Sequence, residues 1–335
     1  CWFKIRRSLL FVKTSFMNIL FKCDQSNFIG LGHYFRCIAL AKVFKQNNHK
    51  CFFLGLKKGI KKKNKISKKN KKEDLKFTQK FVKNNKIHII IKDIYCLGYN
   101  WERNISKTSY LVVIGDYRNY KHYCNLYINY HLNWFKKINA KFLINKKCKK
   151  LIGPKYTIVR DLKINKKINF KEKTIFIYMG GADKNMYMAK FANLFNSEKF
   201  NKIKKIFLIN KNHLNNRPLI KNLNEIKNIE ILKNKIKNFH KYIASCDLCI
   251  SPSGITMLEQ LVLNSNSLIV GQNTIQKKTA ATLHKAKVIY YVKDIKKLNY
   301  KKIYKALNKT NLKKHLINKN GKNLVYKNIV SNFNI

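Results

Sequence analysis

The sequence predicts an α/β protein with two similar Rossmann-type domains and a cleft between them. Short apolar runs alternate with polar, helix-like segments along most of the chain, which is typical of parallel strands joined by crossover helices. The length of 335 residues also exceeds what one hydrophobic core normally holds. Ligands of such folds bind at the carboxyl ends of the strands, so we expect the functional site at the cleft.

The same alternation assigns elements to each domain. In the first domain, 17–160, strands are expected directly after Met17 and at 51–54, 87–91, 110–114 and 125–128. In the second, 161–335, they are expected at 174–179, 206–209, 229–232, 248–250, 267–270 and 288–291. Helices are expected at about 184–196, 235–245, 255–264 and 276–285, with a helical tail at about 294–330 that packs back across the cleft. The pattern breaks at 151–156 before a polar stretch, which sets the domain boundary.

Two segments carry no element in this interpretation. The lysine-rich block at 57–72 is low in complexity and is interpreted as a solvated loop. Residues 1–16 are interpreted as an upstream extension outside the fold, since their apolar run is too short for a secretory signal and lacks a cleavage pattern.

The composition limits the classes of partner. A formal net charge of +57 is expected to attract anions. Arginine, which specific phosphate and base recognition prefers, is nevertheless scarce beside lysine, so we interpret the charge as a solvated surface and expect no nucleic-acid partner. No run reaches the roughly 18 apolar residues of a membrane span, so no membrane partner is expected. The nine scattered cysteines are typical of a reduced, cytoplasmic protein, with Cys246 and Cys249 packed in the core.

A glycine-histidine loop opens the first domain. After the first apolar strand come Gly30, Gly32 and His33, followed by a helix-like run. The glycines allow a ligand to approach the backbone closely, and the helix N-terminus favours an anion. The loop has no third glycine, no acidic residue about 20 positions on and no Gly-Lys-Ser/Thr, which argues against NAD binding and against a phosphate-binding loop with Mg²⁺.

The second domain contains a comparable turn. Ser253 and Gly254 follow a strand, and the helix that begins there carries Glu259. The amides at this helix start can hold a diphosphate, and the carboxylate can accept both hydroxyls of a ribose. The alternative is an ordinary capped helix with a solvent-facing glutamate.

Taken together, these motifs resemble a known family. The run from Phe21 to Arg36 resembles the opening of the UDP-2,4-diacetamido-2,4,6-trideoxy-β-L-altropyranose hydrolases of pseudaminic acid biosynthesis, which are related to spore-coat polysaccharide proteins. Further matching positions follow in the family's order over 17 to about 293. They are Lys92, Asp93, Tyr95, Trp101, Glu102, Ile114 to Asp116, Leu151 to Tyr156, Arg160, Met179 to Asp183, Ser253 to Glu259 and Gln276.

The resemblance implies a fold of the GT-B type and a hydrolase that cleaves a sugar from UDP with water, with inversion and without a metal or cofactor. It implies that His33 orients or deprotonates the water, and that Asp93 and Tyr95 line the sugar side as catalytic residues. A neutral imidazole can accept a proton near neutral pH. The implied substrate-binding residues are Asp24, Gly30, Gly32, Arg36, Tyr156, Gly254, Thr256, Glu259 and Gln276. The expected partners are a UDP-sugar and water, with the protein a monomer.

Some residues and alternatives stay open at this point. The sequence departs from the family pattern at Gly115, Ile255 and Ile275. A UDP-sugar-dependent glycosyltransferase of the same fold, or an inactive nucleotide-sugar- or RNA-binding protein, is the alternative function. Each candidate residue also has a purely structural interpretation. His33 could be an ordinary loop histidine, and Asp93 could end a strand and cap the following turn. Tyr95 and Tyr156 could be core aromatic residues. No catalytic or metal-binding role is assigned to the histidines that have no partner at the sequence spacing of metal ligands or of a catalytic triad: His122, His131, His213, His240 and His284.

Overall fold

The predicted two-sheet α/β architecture is confirmed. The computed structural model describes residues 16–23, 32–58, 67–115, 120–132, 143–162, 164–180, 183, 185–233, 236, 238–308 and 317–333. They form two 6-stranded sheets, with strand orders β2-β1-β3-β4-β5-β6 and β12-β11-β10-β7-β8-β9. Neighbouring strands pair in parallel throughout.

The strands follow the apolar runs closely. Those of the first sheet are β1 Asn18–Cys23, β2 Lys50–Leu54, β3 Ile89–Asp93, β4 Tyr110–Ile114, β5 Leu126–Asn129 and β6 Lys149–Ile152. Those of the second are β7 Thr174–Ile177, β8 Lys204–Ile209, β9 Ile229–Lys233, β10 Leu248–Pro252, β11 Ser267–Val270 and β12 Tyr290–Val292. The central strands are buried on both faces, which explains why they appear as continuous apolar runs rather than as alternating ones.

Helices connect the strands. In the first domain the described helices are α1 Gly32–Gln46, α2 Lys68–Asn84 and α3 Tyr99–Ile105. The later ones are α4 Tyr187–Phe195, α5 Lys211–Leu214, α6 Arg217–Asn224, α7 Phe239–Ser245, α8 Ile255–Val262, α9 Thr274–Lys285, α10 Tyr300–Leu307 and α11 Gly321–Phe333. Within these described segments, none of the helices has the length and apolar character that crossing a membrane requires.

The last helix of the chain packs on the first domain. Its buried residues Val325 and Ile329 join the core formed by α1 and the first sheet. The Tyr326 ring meets the Phe44 ring edge-on at 5.0 Å, and the Tyr326 hydroxyl lies 3.2 Å from His49 Nε2. The expected helical tail therefore returns to the first domain, across the cleft from the strand that precedes it.

Two segments differ from the sequence-based expectation. The lysine-rich block was interpreted wholly as a loop, and this is wrong for its last part, because α2 begins at Lys68. Lysine is a good helix former, and the Ser67 hydroxyl caps the helix by accepting from the Asn70 amide at 3.1 Å. The edge strand β6 was not expected, because its two lysines leave little apolar pattern to recognise.

The close cysteine pair has the predicted structural role. Cys246 and Cys249 are buried free thiols, and Cys249 Sγ lies 3.5 Å from the Ile243 carbonyl oxygen to which it donates. Burial raises the pKa of the Cys246 thiol well above its usual range by disfavouring the thiolate, which is typical of a cysteine packed in a core.

Gly321 provides a test of how α11 is attached. A Cβ atom at this position would lie 2.2 Å from the Thr157 carbonyl oxygen and 3.0 Å from that of Lys155, both backbone atoms that cannot move aside. We expect Gly321→Ala to lower the free energy of unfolding by about 3 kcal/mol through overpacking, although alanine normally favours a helix.

The matched control is Gly98→Ala, because a Cβ atom there meets nothing within 4 Å. We expect it to change stability by less than about 0.5 kcal/mol. Both variants are compared with the parent by urea unfolding. An unchanged or increased stability of Gly321→Ala would show that α11 is not held against this turn.

Candidate functional site

The three residues expected to be catalytic meet at one edge of the first sheet. Asp93 ends β3, which pairs with β1, and α1 starts beyond the carboxyl end of β1. His33 Nδ1 lies 2.7 Å from Asp93 Oδ1. The Tyr95 ring meets the His33 ring edge-on, with centroids 4.6 Å apart. Parallel pairing brings them together because it places both carboxyl ends at the same edge.

Arg36 is the centre of this cluster. It follows His33 by one helical turn and is only 5% exposed. Its guanidinium donates to both carboxylate oxygens of Asp93 and to the hydroxyl of Tyr130, and Nη2 also reaches the Tyr95 hydroxyl at 3.4 Å.

The cluster contains two buried groups of opposite charge, the Asp93 carboxylate and the Arg36 guanidinium. Burial by itself raises the pKa of the Asp93 carboxyl, but Arg36 and His33 outweigh this and hold the pKa well below its usual range. Burial also disfavours the charged guanidinium, yet Asp93 raises the pKa of Arg36 further above its normal value. Cys37 adds a weak thiol donor 3.7 Å from Asp93 Oδ2. Asp93 is therefore ionised at neutral pH.

The start of α8 in the second domain faces this cluster. A Cβ atom placed on Gly32 would lie 4.0 Å from both Cβ and Cγ2 of Ile255, so the first turns of α1 and α8 meet across the domain interface. Gly254 has the extended conformation of a helix N-cap, and Thr256 is buried in the first turn. Each N-terminus carries partial positive charge, and together they form a position suited to an anion.

Glu259 is buried, so the alternative of a solvent-facing glutamate is wrong. Its exposure is 0%, and Oε1 accepts from Arg160 Nε at 2.8 Å. Oε2 lies 3.4 Å from His240 Nε2, and neither of these atoms makes a hydrogen bond. Burial raises the pKa of Glu259, but His240 and Arg160 outweigh it and lower the pKa, which keeps the carboxylate ionised.

Arg160 joins the two halves of the site. While its Nε donates to Glu259 on α8, its guanidinium carbon lies 4.9 Å from the centre of the Phe35 ring on α1. Arg160 belongs to the positions that carry the family resemblance, but no role is predicted for it from the sequence, and none is predicted for Tyr130 or His240. In a chain so biased toward lysine, each arginine was an available signal, as was the position of Tyr130 directly after β5.

The contacts shown for two other predicted substrate-binding residues are with groups outside the His33 cluster. Gln276 is in the first turn of α9, where Oε1 accepts from the Gln272 amide at 2.9 Å. Tyr156 is half-buried in a single 3₁₀ turn, Pro154–Tyr156, with Lys155 Nζ 5.1 Å from its ring centre. Asp24 and Gly30 lie outside the described residues.

Two histidines without assigned chemistry have buried acidic partners. His213 Nε2 lies 3.2 Å from Asp183 Oδ2, and Asp183 also accepts from the amides of Tyr187 and Met188 at the start of α4. His122 Nδ1 lies 2.9 Å from Glu102 Oε1. Both pairs tie a loop residue to a helix, and the described residues contain no group of three His, Cys, Asp or Glu that could hold a metal ion.

The departure from the family pattern at Gly115 has a steric reason. A Cβ atom at this position would lie 1.9 Å from the hydroxyl oxygen of Tyr127, a fully buried residue of β5. Tyr127 fills the volume that a side chain at 115 would need. Its hydroxyl also accepts from Asn129 Nδ2 at 3.3 Å, next to Tyr130.

A comparison of sequences finds a relative that matches part of its own length. The chain is 26% identical over 281 residues to the uncharacterized protein MJ1062 of Methanocaldococcus jannaschii, covering 78% of this chain and 57% of that protein. It therefore spans little more than half the length of this relative. No protein-family profile matches the sequence.

Solved structures resemble the whole chain. Acinetobacter baumannii MurG superposes with a TM-score of 0.60 at 10% identity, covering 94% of this chain and 95% of MurG. The spinosyn rhamnosyltransferase SpnG complexed with thymidine diphosphate superposes with a TM-score of 0.58 at 10% identity, covering 95% of this chain and 96% of SpnG. The UDP-GlcNAc 2-epimerase of Neisseria meningitidis bound to UDP-GlcNAc superposes with a TM-score of 0.57 at 10% identity, covering 94% of this chain and 99% of the epimerase. The chain thus has the GT-B fold.

The buried pair of Arg36 and Asp93 gives a test by stability. Removing Arg36 alone leaves an unpaired buried carboxylate, so we expect Arg36→Met to lower the free energy of unfolding at pH 7 by about 3 to 5 kcal/mol. The double variant Arg36→Met/Asp93→Leu removes both charges and should recover part of this loss.

The pH dependence of the same pair has a definite sign. The pKa of Asp93 is lower in the folded than in the unfolded protein, so its stabilising contribution is complete above about pH 4 and is lost as the pH falls below this. The stability advantage of the parent over the double variant should therefore shrink between pH 7 and pH 3 in urea unfolding. An advantage that is independent of pH would contradict the assigned ionisation.

Proposed function

We propose that this protein is an enzyme that binds a nucleotide-sugar between its two domains and hydrolyses it. One observation carries the proposal: the starts of α1 and α8 face each other, with the His33–Asp93 pair on one side and the buried Glu259 on the other. The bound UDP-GlcNAc and thymidine diphosphate of two proteins with this fold support a nucleotide-sugar as the ligand class.

We propose that different groups of the site bind the diphosphate, the ribose and the sugar. A diphosphate fits the two helix N-termini, where the amides near Gly32, Gly254 and Thr256 donate to its oxygens. The ribose hydroxyls are proposed to donate to Glu259, whose Oε2 makes no hydrogen bond within the protein. The sugar then lies toward Tyr95 and His33 at the end of β3.

In the proposed reaction His33 acts as general base. The imidazole takes a proton from water while the water oxygen bonds to the anomeric carbon, and the bond from that carbon to the diphosphate oxygen breaks with its electron pair. The products are UDP and the free sugar with inverted configuration. The leaving diphosphate needs little protonation, because the facing helix starts stabilise its charge.

The particular substrate is proposed from the family resemblance. It is a UDP-linked 2,4-diacetamido-2,4,6-trideoxyhexose, whose free sugar serves the synthesis of a nonulosonic acid such as pseudaminic acid for flagellin or cell-surface glycans. The matching positions of His33, Asp93 and Tyr95 meet in one cluster, which supports this assignment.

A UDP-sugar-dependent glycosyltransferase is the second candidate. It is favoured by the similarity of the whole chain to a rhamnosyltransferase of the same fold. In that case His33 deprotonates an acceptor hydroxyl in place of water. Rapid turnover only when an acceptor is added, with slow release of UDP in water alone, would identify this reaction.

The first experiment measures release of UDP. The purified chain is incubated in EDTA with UDP-2,4-diacetamido-2,4,6-trideoxyhexoses and with UDP-GlcNAc, and UDP is quantified by chromatography. We expect release from the diacetamido substrate and a loss of at least about 100-fold in kcat for His33→Ala, which lacks the base.

The control is His88→Ala. The His88 ring accepts a hydrogen bond from the Asn18 amide at the amino end of β1, which is the opposite edge of the sheet from the site. The rate of UDP release by His88→Ala should therefore stay close to that of the parent. No UDP release from any candidate sugar, or equal release by His33→Ala, would refute the hydrolase proposal.

A second experiment tests the nucleotide side. We expect Glu259→Gln to weaken UDP binding about tenfold, a loss of about 1.4 kcal/mol, because an amide accepts ribose hydroxyls less strongly than a carboxylate. Calorimetric titration with UDP measures this change. Glu230→Gln, which alters a half-exposed glutamate paired with Lys204, is the control and should bind UDP as the parent does. Equal affinity of all three proteins would remove Glu259 from the proposed site.

A further inference from the structure

We propose that Arg36 is a positioning residue that keeps Asp93 charged and thereby fixes which ring nitrogen of His33 can accept a proton. This assignment deepens the proposed function and rests on it for its kinetic part. It differs from the resemblance, which places Arg36 among the substrate-binding residues.

The nitrogens of Arg36 are engaged with protein groups. Nε donates to Asp93 Oδ2, Nη1 to the Tyr130 hydroxyl, and Nη2 to Asp93 Oδ1. Nη2 also reaches the Tyr95 hydroxyl at 3.4 Å. A substrate contact at any of these nitrogens would compete with a bond already made in a side chain that is 5% exposed.

These contacts determine the state of Asp93. Its side chain is 0% exposed and receives a bidentate bond from the guanidinium, the arrangement that best stabilises an ionised carboxylate. An ionised carboxylate can only accept hydrogen bonds. Any group that approaches it at hydrogen-bond distance must therefore supply the proton.

His33 is such a group. Nδ1 lies 2.7 Å from Asp93 Oδ1, and without a proton between them two lone pairs would face each other at this distance. Arg36 Nη2 also lies 2.9 Å from Nδ1, but its two hydrogens are directed to Asp93 Oδ1 and to the Tyr95 hydroxyl, so the shorter contact with the charged carboxylate decides the ring form. Nδ1 therefore carries the hydrogen in the neutral ring, which leaves the lone pair on Nε2.

The Tyr95 ring supports this orientation. It meets the imidazole edge-on with an interplanar angle of 85°, and its hydroxyl is tied to the same guanidinium. Rotation of the His33 ring would break both the contact with Tyr95 and the bond to Asp93. The base nitrogen is thus fixed in direction as well as in protonation.

Loss of Arg36 has a specific consequence under this assignment. Without the guanidinium, the buried Asp93 becomes protonated more easily, and a protonated carboxyl can donate to Nδ1. The ring hydrogen then moves to Nε2, and the nitrogen that should act as base is blocked. Arg36 therefore acts on the reaction through Asp93 and His33 without touching the substrate.

The direct test reads the ring protonation by NMR. The full chain with ¹⁵N-labelled histidine is recorded without ligand at neutral pH, and the His33 signals are assigned by their absence in His33→Gln. We expect a protonated Nδ1 and an unprotonated Nε2 in the parent. In Arg36→Met we expect the Nε2-protonated form to replace it, with the His88 signals unchanged as the control.

Arg36→Lys keeps the test informative if Arg36→Met does not fold. A lysine retains the positive charge, so the Nδ1-protonated form should persist in it. An Nε2-protonated ring in the parent, or the same ring form in the parent and Arg36→Met, would overturn the proposal.

The kinetic test separates positioning from substrate binding. We expect Arg36→Met to lower kcat at least tenfold with KM nearly unchanged. A raised KM with an unchanged kcat would assign Arg36 to substrate binding instead. If the parent hydrolyses no nucleotide-sugar, the proposed function fails, whereas the NMR result still decides the role of Arg36.

Discussion

Parallel pairing of the strands is the constraint on which the candidate site depends. It brings the carboxyl end of every strand in a sheet to one edge, so that Asp93 at the end of β3 meets the helix that follows β1. In the second domain the same rule places the start of α8 at the corresponding edge. The two edges then face each other near Gly32 and Ile255, and the site forms between helix starts rather than within either domain alone.

The acidic residues form the specific ion pairs of this chain. Only 15 are present against 72 lysines and arginines, and several are fully buried rather than spread over the surface. Among the described residues, the buried ones are Asp74, Asp93, Glu102, Asp183 and Glu259. Each contacts a base or a helix start, because an isolated buried charge is too costly. In a lysine-biased sequence, a buried acid therefore marks a position where the fold requires a defined charge.

The GT-B fold by itself does not define the reaction. Proteins that superpose on this chain at about 10% identity include a rhamnosyltransferase and an epimerase, so the scaffold serves more than one chemistry. Under the proposed function, the reaction depends on the groups between the two domains. The arrangement of Arg36, Asp93 and His33 is proposed to supply an oriented base, and the ion pair of Arg160 and Glu259 lies on the nucleotide side. Whether water or an acceptor hydroxyl reaches that base defines the difference between the two proposed reactions.

The sequence alone determined the two-sheet architecture and the helix starts at Gly32 and Gly254, because strand alternation and turn motifs are local patterns. The role proposed for His33 comes from the family resemblance, and that of Glu259 from its place on the helix after Gly254. Only the tertiary structure decided which distant residues contact each other. Arg36 meets Asp93 across 57 positions, Arg160 meets Glu259 across 99, and α11 returns to α1. Such contacts depend on strand register and on the closure of one domain against the other, neither of which leaves a periodic signal along the chain. For the same reason the edge strand β6 and the start of α2, fixed by sheet pairing and a single capping serine, were found only in the folded protein.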